Sequence, residues 1–126
     1  MQVFSQNPAA AYRRVDLDAR IEASANDDLT RICLEEVVSA LGQALVALDH
    51  SPDCVPRDPL SRAHGISLWL AQSVAPDNPL REQLIKFYGG LGALIRRNLS
   101  QPRTAEIRRA HTDFQDVLEA TRTLRS

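Results

Sequence analysis

Lysine is almost missing from this chain, with Lys86 standing alone beside fourteen arginines. Cysteine is limited to Cys33 and Cys54, whose spacing matches no metal-ligand motif, so a disulfide scaffold and a zinc module are excluded. Five glycines in 126 residues leave no glycine-rich phosphate loop. No apolar run approaches the roughly 18 residues that a membrane-spanning helix requires. The first residues, Met1 to Pro8, have neither the basic stretch nor the apolar stretch of a secretory leader. Strand-length alternation of apolar and polar residues is absent as well. These absences leave a cytoplasmic domain without membrane insertion as the expectation.

What is present suffices for one core. The chain is 44% hydrophobic and 25% charged, and at this length a single domain over residues 1–126 is expected. Charge is nearly balanced at −1 but unevenly spread: residues 1–50 carry four arginines against eight acids, while 51–102 and 103–126 are slightly basic. A sequence pI near 6.3 argues against a general nucleic-acid binder.

Seven prolines cut the chain into helix-sized pieces, because proline removes a backbone donor and clashes with the preceding turn. Apolar residues recur at helical spacing in each piece. Over 27–49 the stripe is Leu29, Ile32, Cys33, Val37, Ala40, Leu41, Ala44, Leu45 and Leu48. Over 80–99 it runs through Leu80, Leu84, Phe87, Tyr88, Leu91, Leu94, Ile95 and Leu99, and over 104–124 through Ile107, Ala110, His111, Phe114, Val117, Leu118, Thr121 and Leu124. Segment 60–74 carries Leu60, Ala63, Ile66, Leu70 and Val74. Asn26 or Asp27, Asp77 or Asn78, and Thr104 are the expected caps. A shorter leading helix is expected from about Ala9 to Glu22. The fold class is therefore all-α: an antiparallel four-helix bundle preceded by a short N-terminal helix. Leu41, Leu84, Phe87, Leu91, Phe114 and Leu118 are expected among its most buried residues.

Chemistry-bearing constellations are scarce. His64 and His111 lack the Glu three residues earlier that a di-metal bundle uses, and His50 reads as a cation at a helix C-terminus. Cys33 sits on an apolar stripe as a small hydrophobe, and Cys54 lies in a proline-rich loop with no neighbouring base. The adjacent acids Asp27-Asp28 and Glu35-Glu36 point to different faces and read as solvated charge. No catalytic, cofactor or metal residue emerges, so the protein is not expected to be an enzyme; a cofactor-holding bundle is the weaker alternative. The anomaly is Gly89-Gly90-Leu91-Gly92 inside a strong helical pattern, at a cost of about 1 kcal/mol per glycine relative to alanine. Gly89 and Gly92 define a shallow strip, suited to close approach of a bundle helix or to a groove for a partner.

In order along the chain, these features resemble the flagellin export chaperones of the FliS family and the related FlaF proteins. Ala11-Tyr12-Arg13-Arg14-Val15 is similar to the Ala-Tyr segment that precedes the family's bundle. Ile21-Glu22-Ala23-Ser24-Ala25, with Leu29 and Ile32 behind it, is similar to the family's Ala-Ser-Pro lead into a long apolar helix. Phe87-Tyr88 resembles the Leu-Tyr of its fourth helix, and the stretch from Leu68-Trp69 to Ile95 is similar to FlaF. Departures are Ala25 for proline, Leu34-Glu35-Glu36 for Tyr-Asp-Gly and Gly90 for a second aromatic. The resemblance implies a chaperone that holds the C-terminal segment of flagellin, blocks its premature polymerisation and delivers it to the flagellar export gate, as monomer or homodimer. It also implies that residues 1–22 form a mobile segment, with Tyr12, Val15, Leu17 and Ile21 as partner-binding positions beside Gly89 and Gly92. In that reading the Tyr12 segment acts as a lid over the groove. The alternative of another class is an RNA-binding regulator of flagellin expression, supported by Arg96-Arg97 and Arg108-Arg109 but lacking an aromatic stacking platform.

Overall fold

The computed structural model describes residues 16–125, with side chains from 28 to 122. Four helices account for most of them: α1 (Asp16–His50), α2 (Arg57–Gln72), α3 (Arg81–Ser100) and α4 (Thr104–Arg125). No strand is present among the described residues, so the chain is all-α. Each helix packs on two others: α2 on α1 and α3, and α4 on α1 and, more lightly, α3. Single pairs mark these contacts: Gln43 Oε1 accepts from Arg62 at 2.8 Å, Glu35 meets Arg122 at 3.5 Å, and the Phe87 and Phe114 rings lie 6.1 Å apart. The first and last helices, α1 and α4, are thus in contact.

Helix boundaries follow local chemistry, with four departures from expectation. The separation of a leading helix from a second one at Asn26 or Asp27 is corrected, because α1 is continuous through both. Neither residue costs more than about 0.7 kcal/mol inside a helix, and no proline or glycine interrupts residues 16–41. The leading helix's first residues, Ala9 to Val15, lie outside the described residues. Pro59 does not end a segment either. It sits in the first turn of α2, where its missing N–H would have had no intrahelical partner. Thr104 is already helical, so the cap expected of it is not formed there.

The N-cap of α3 is Leu80, without a side-chain cap bond, rather than the expected Asp77 or Asn78; the Asn78 Oδ1 instead accepts the Leu80 N–H at 2.8 Å and turns the chain just ahead of the helix. At the end of α1 the ring of His50 donates through Nδ1 to the Val46 carbonyl at 3.0 Å, satisfying an acceptor of the last turn.

The core gathers Leu34, Val37, Leu41, Leu60, Leu70, Ile95, Ile107 and Phe114, with Leu91 and Leu118 at its margin. Leu84 and Phe87, expected inside, are only half-buried and pack against this core. The buried face of α3 is instead Tyr88, Leu91, Gly92, Ile95 and Asn98. Two kinds of contact space the helices. Between α2 and α3 small residues meet, Ser67 facing Gly92, and Ser67 folds its hydroxyl onto the Ala63 carbonyl at 2.8 Å. Between α3 and α4 the rings of Phe87, Tyr88 and Phe114 intervene, 5.6 to 6.3 Å from centre to centre. Bulky rings hold α3 and α4 apart while glycine and serine let α2 and α3 close.

The α3–α4 turn is locked by one buried amide. Asn98 Nδ2 donates to Glu106 Oε1 at 2.9 Å and to the Leu94 carbonyl at 2.8 Å, while its Oδ1 accepts from the Arg103 backbone N–H. Asn98→Ala strands that N–H beside the core, and is expected to cost about 1–3 kcal/mol in urea unfolding. A loss under 0.5 kcal/mol would show that the turn holds without it.

Candidate functional site

The side chains capable of chemistry are dispersed. Among the described residues no three of His, Cys, Asp and Glu gather closely enough to hold a metal ion. His111 lies on the α1–α4 contact, its Nε2 3.6 Å from where a side chain at Gly42 would begin. The glycine makes room for the imidazole, and burial holds the His111 pKa below its ordinary value. Glu35, expected to be free solvated charge, is a node between helices: it takes Arg31 at 3.2 Å and Arg122 at 3.5 Å. Both contacts are partly exposed and position α4 more than they stabilise it.

The two thiols differ in environment. Cys33 is half-buried on α1, and desolvation together with the Glu36 carboxylate pushes its pKa to about 11. Cys54 is exposed in the turn before α2. At neutral pH the Cys33 thiolate fraction is therefore negligible, and thiolate is the reactive form. Iodoacetamide at pH 8 is expected to modify Cys54 in the native chain and spare Cys33, so that Cys54→Ser leaves a protein alkylated only after unfolding. Rapid labelling of native Cys54→Ser would contradict the burial of Cys33.

The positions expected to meet a partner fare unequally. Tyr12 and Val15 lie outside the described residues. Leu17 and Ile21 are on α1, in its first two turns. Gly89 and Gly92 do not act as one strip. A Cβ on Gly92 would stand 3.3 Å from Ser67 Cβ and 3.8 Å from Leu68 Cδ2, so Gly92 serves the α2–α3 contact. Gly89 and Gly90 face open space, with nothing within 4 Å. Of the two readings of the glycines, close helix approach belongs to Gly92, and Gly89, like Gly90, borders open space.

Leu29, Ile32 and Leu80, placed by sequence on the apolar stripes, stay largely outside, as do Val46 and Leu68. Leu29 and Ile32 are 40% and 46% exposed on α1, and Leu80, at the start of α3, is 56% exposed. Leu68 is exposed on α2, its methyl near Gly92. Leu29 and Ile32 looked like core because they continue the α1 stripe; the signal against them was length, since α1 is far longer than α2 or α4. The aromatic trio lies inward, and burial pushes the Tyr88 phenol to about 12, so it remains neutral. No helix among the described residues is long and apolar enough to cross a membrane. Comparison with family models, with curated protein sequences and with solved structures finds no match to this chain.

Proposed function

We propose that the protein is a cytoplasmic, non-enzymatic chaperone whose four helices form an antiparallel bundle, and that it holds the C-terminal segment of flagellin for delivery to the export gate. The observation that carries this reading is the set of large apolar side chains left outside, Leu29, Ile32, Val46, Leu68 and Leu80; in an antiparallel bundle Leu29, Ile32 and Leu80 fall at one end. Exposed apolar surface of that kind suits an amphipathic partner segment that orders itself on binding. The resemblance of the Tyr12 and Ile21 segments to flagellin chaperones names the partner.

The test is a titration with a flagellin C-terminal peptide, followed through the half-buried Trp69 or by calorimetry. Saturable binding is expected. The double variant Leu29→Gln/Ile32→Gln changes only side chains that are partly outside, keeps the helical circular dichroism, and is expected to weaken binding at least about tenfold, as loss of two apolar anchors does. If the lid implied for the N-terminal segment competes with the peptide, deleting residues 1–16 tightens binding. Absence of binding by the unaltered chain would sink the proposal.

A further inference from the structure

We propose that the α3–α4 hairpin is a docking surface for an acidic polypeptide segment of a partner protein. Its carrier is a concentration of unanswered positive charge in a chain that is negative overall. Between residues 96 and 109 stand Arg96, Arg97, Arg103, Arg108 and Arg109, against the single acid Glu106. All five arginines are exposed. The turn joining the two helices is three residues long and pinned by the Asn98–Glu106 bond at 2.9 Å, so the arginines of both helices are held at one end of one hairpin.

Elsewhere Arg31 takes Asp28 and Glu35, Arg122 takes Glu35 and Glu119, and Arg62 takes Gln43, while Arg57 and Arg81 stand singly, each at the start of a different helix. On the hairpin only Arg97 takes a carboxylate, reaching Glu106 at 3.9 Å. Among the described residues Arg96, Arg103, Arg108 and Arg109 have no carboxylate partner, although the chain contains sixteen acids. Guanidinium groups present a planar fork of donors that matches carboxylate geometry. The hairpin already displays that preference, since it seats the Glu106 carboxylate between Asn98 and Arg97.

An acidic peptide fits better than nucleic acid. Recognition of single strands draws on aromatic faces on which bases stack, and the rings nearest the hairpin, Phe87, Tyr88 and Phe114, are packed against one another in the interior. Footprint points the same way: one turn and its flanking helix ends offer few charges to a polymer that presents a phosphate at every step. The surface is separate from the apolar end at Leu29, Ile32 and Leu80, because the α3–α4 turn and the α2–α3 connection lie at opposite ends of α3. A partner could therefore be held there while the apolar end is occupied, and the inference stands without the flagellin reading.

The experiment uses the full chain and a fluorescein-labelled poly-glutamate peptide in fluorescence anisotropy. Binding is expected at low salt, weakening as ionic strength rises and the exposed charges are screened. Arg108→Glu/Arg109→Glu is expected to reduce affinity about tenfold or more, the loss of two exposed charge pairs and their reversal. The control Arg81→Glu/Lys86→Glu makes the same change of net charge at the far end of α3 and is expected to bind within about twofold of the unaltered chain. All four positions are exposed, and helical circular dichroism confirms that each variant is folded. Equal weakening by the control would overturn the proposal, as would no binding. Tighter binding of a single-stranded RNA of equal charge would assign the hairpin to nucleic acid instead. Salt-sensitive self-association in sedimentation, abolished by Arg108→Glu/Arg109→Glu, would assign it to a second copy of the chain.

Discussion

Replacing Phe114 by alanine is expected to cost about 3–5 kcal/mol, more than any other single truncation in the chain. The ring is fully buried and is the largest side chain that is. It stacks on Tyr88 at 6.3 Å and meets Phe87 edge-on at 6.1 Å, so its removal deletes two aromatic contacts along with the buried area. It also leaves a void where α3 and α4 have little else to share, because rings rather than backbones span that seam. A domain of this size has on the order of 5–15 kcal/mol of stability in total, so the melting temperature is expected to fall by about 10–20 °C. Phe87→Ala, at a half-buried ring, is expected to cost less than half as much. Equal losses at the two positions would mean that Phe114 has no special place, and a loss below 1 kcal/mol would contradict its burial.

The second large effect is expected at Gly92. A methyl group there already stands 3.3 Å from Ser67 Cβ, and the rest of a leucine side chain has no path that avoids α2. Gly92→Leu is therefore expected to destabilise by about 2–3 kcal/mol or more, as overpacking does when backbone must move. Gly90→Ala is expected to do the reverse. Its added Cβ meets open space, and removal of the glycine's excess freedom in a helix is worth up to about 1 kcal/mol. Urea midpoints moving in opposite directions for two substitutions two residues apart would separate packing glycine from permissive glycine. Stabilisation by both would show that the α2–α3 contact is looser than described.

Much of this architecture was legible in the residue order, and the exceptions have specific causes. Periodicity found the helices because apolar residues at three- and four-residue spacing have few other uses, and prolines marked the connections well except at Pro59. A proline in a first turn loses nothing that turn could have used, so its helix-breaking signal fails there. Asn26 and Asp27 read as a cap because both residue types favour that role, yet preference alone does not end a helix without something to stop it. On α3 the apolar rule chose Phe87 over Tyr88, and it had no means of seeing that Gly92 and Asn98 complete the buried face. Those two are buried for what they lack or bond, a side chain in one case and a three-way amide in the other. The exposed set at Leu29, Ile32 and Leu80 was hidden for a different reason: a helix stripe records which face is apolar, not whether another helix reaches far enough to cover it. The arginine hairpin was half visible, as two arginine pairs, but its concentration needed the short pinned turn that brings them together.

The pairing of the first helix with the last has a bearing on how the chain assembles. The contact between Ser67 and Gly92 closes a short loop, whereas that between Glu35 and Arg122 closes one roughly three times longer. The entropic difference is only about 1 kcal/mol, but the α2–α3 hairpin, and α1 on α2, can form while the chain is incomplete, whereas the α1–α4 contact waits for α4. Until α4 arrives, the part of α1 that packs on it lacks its cover. The growing polypeptide thus presents, for a time, the kind of apolar helix that the finished protein would hold in another.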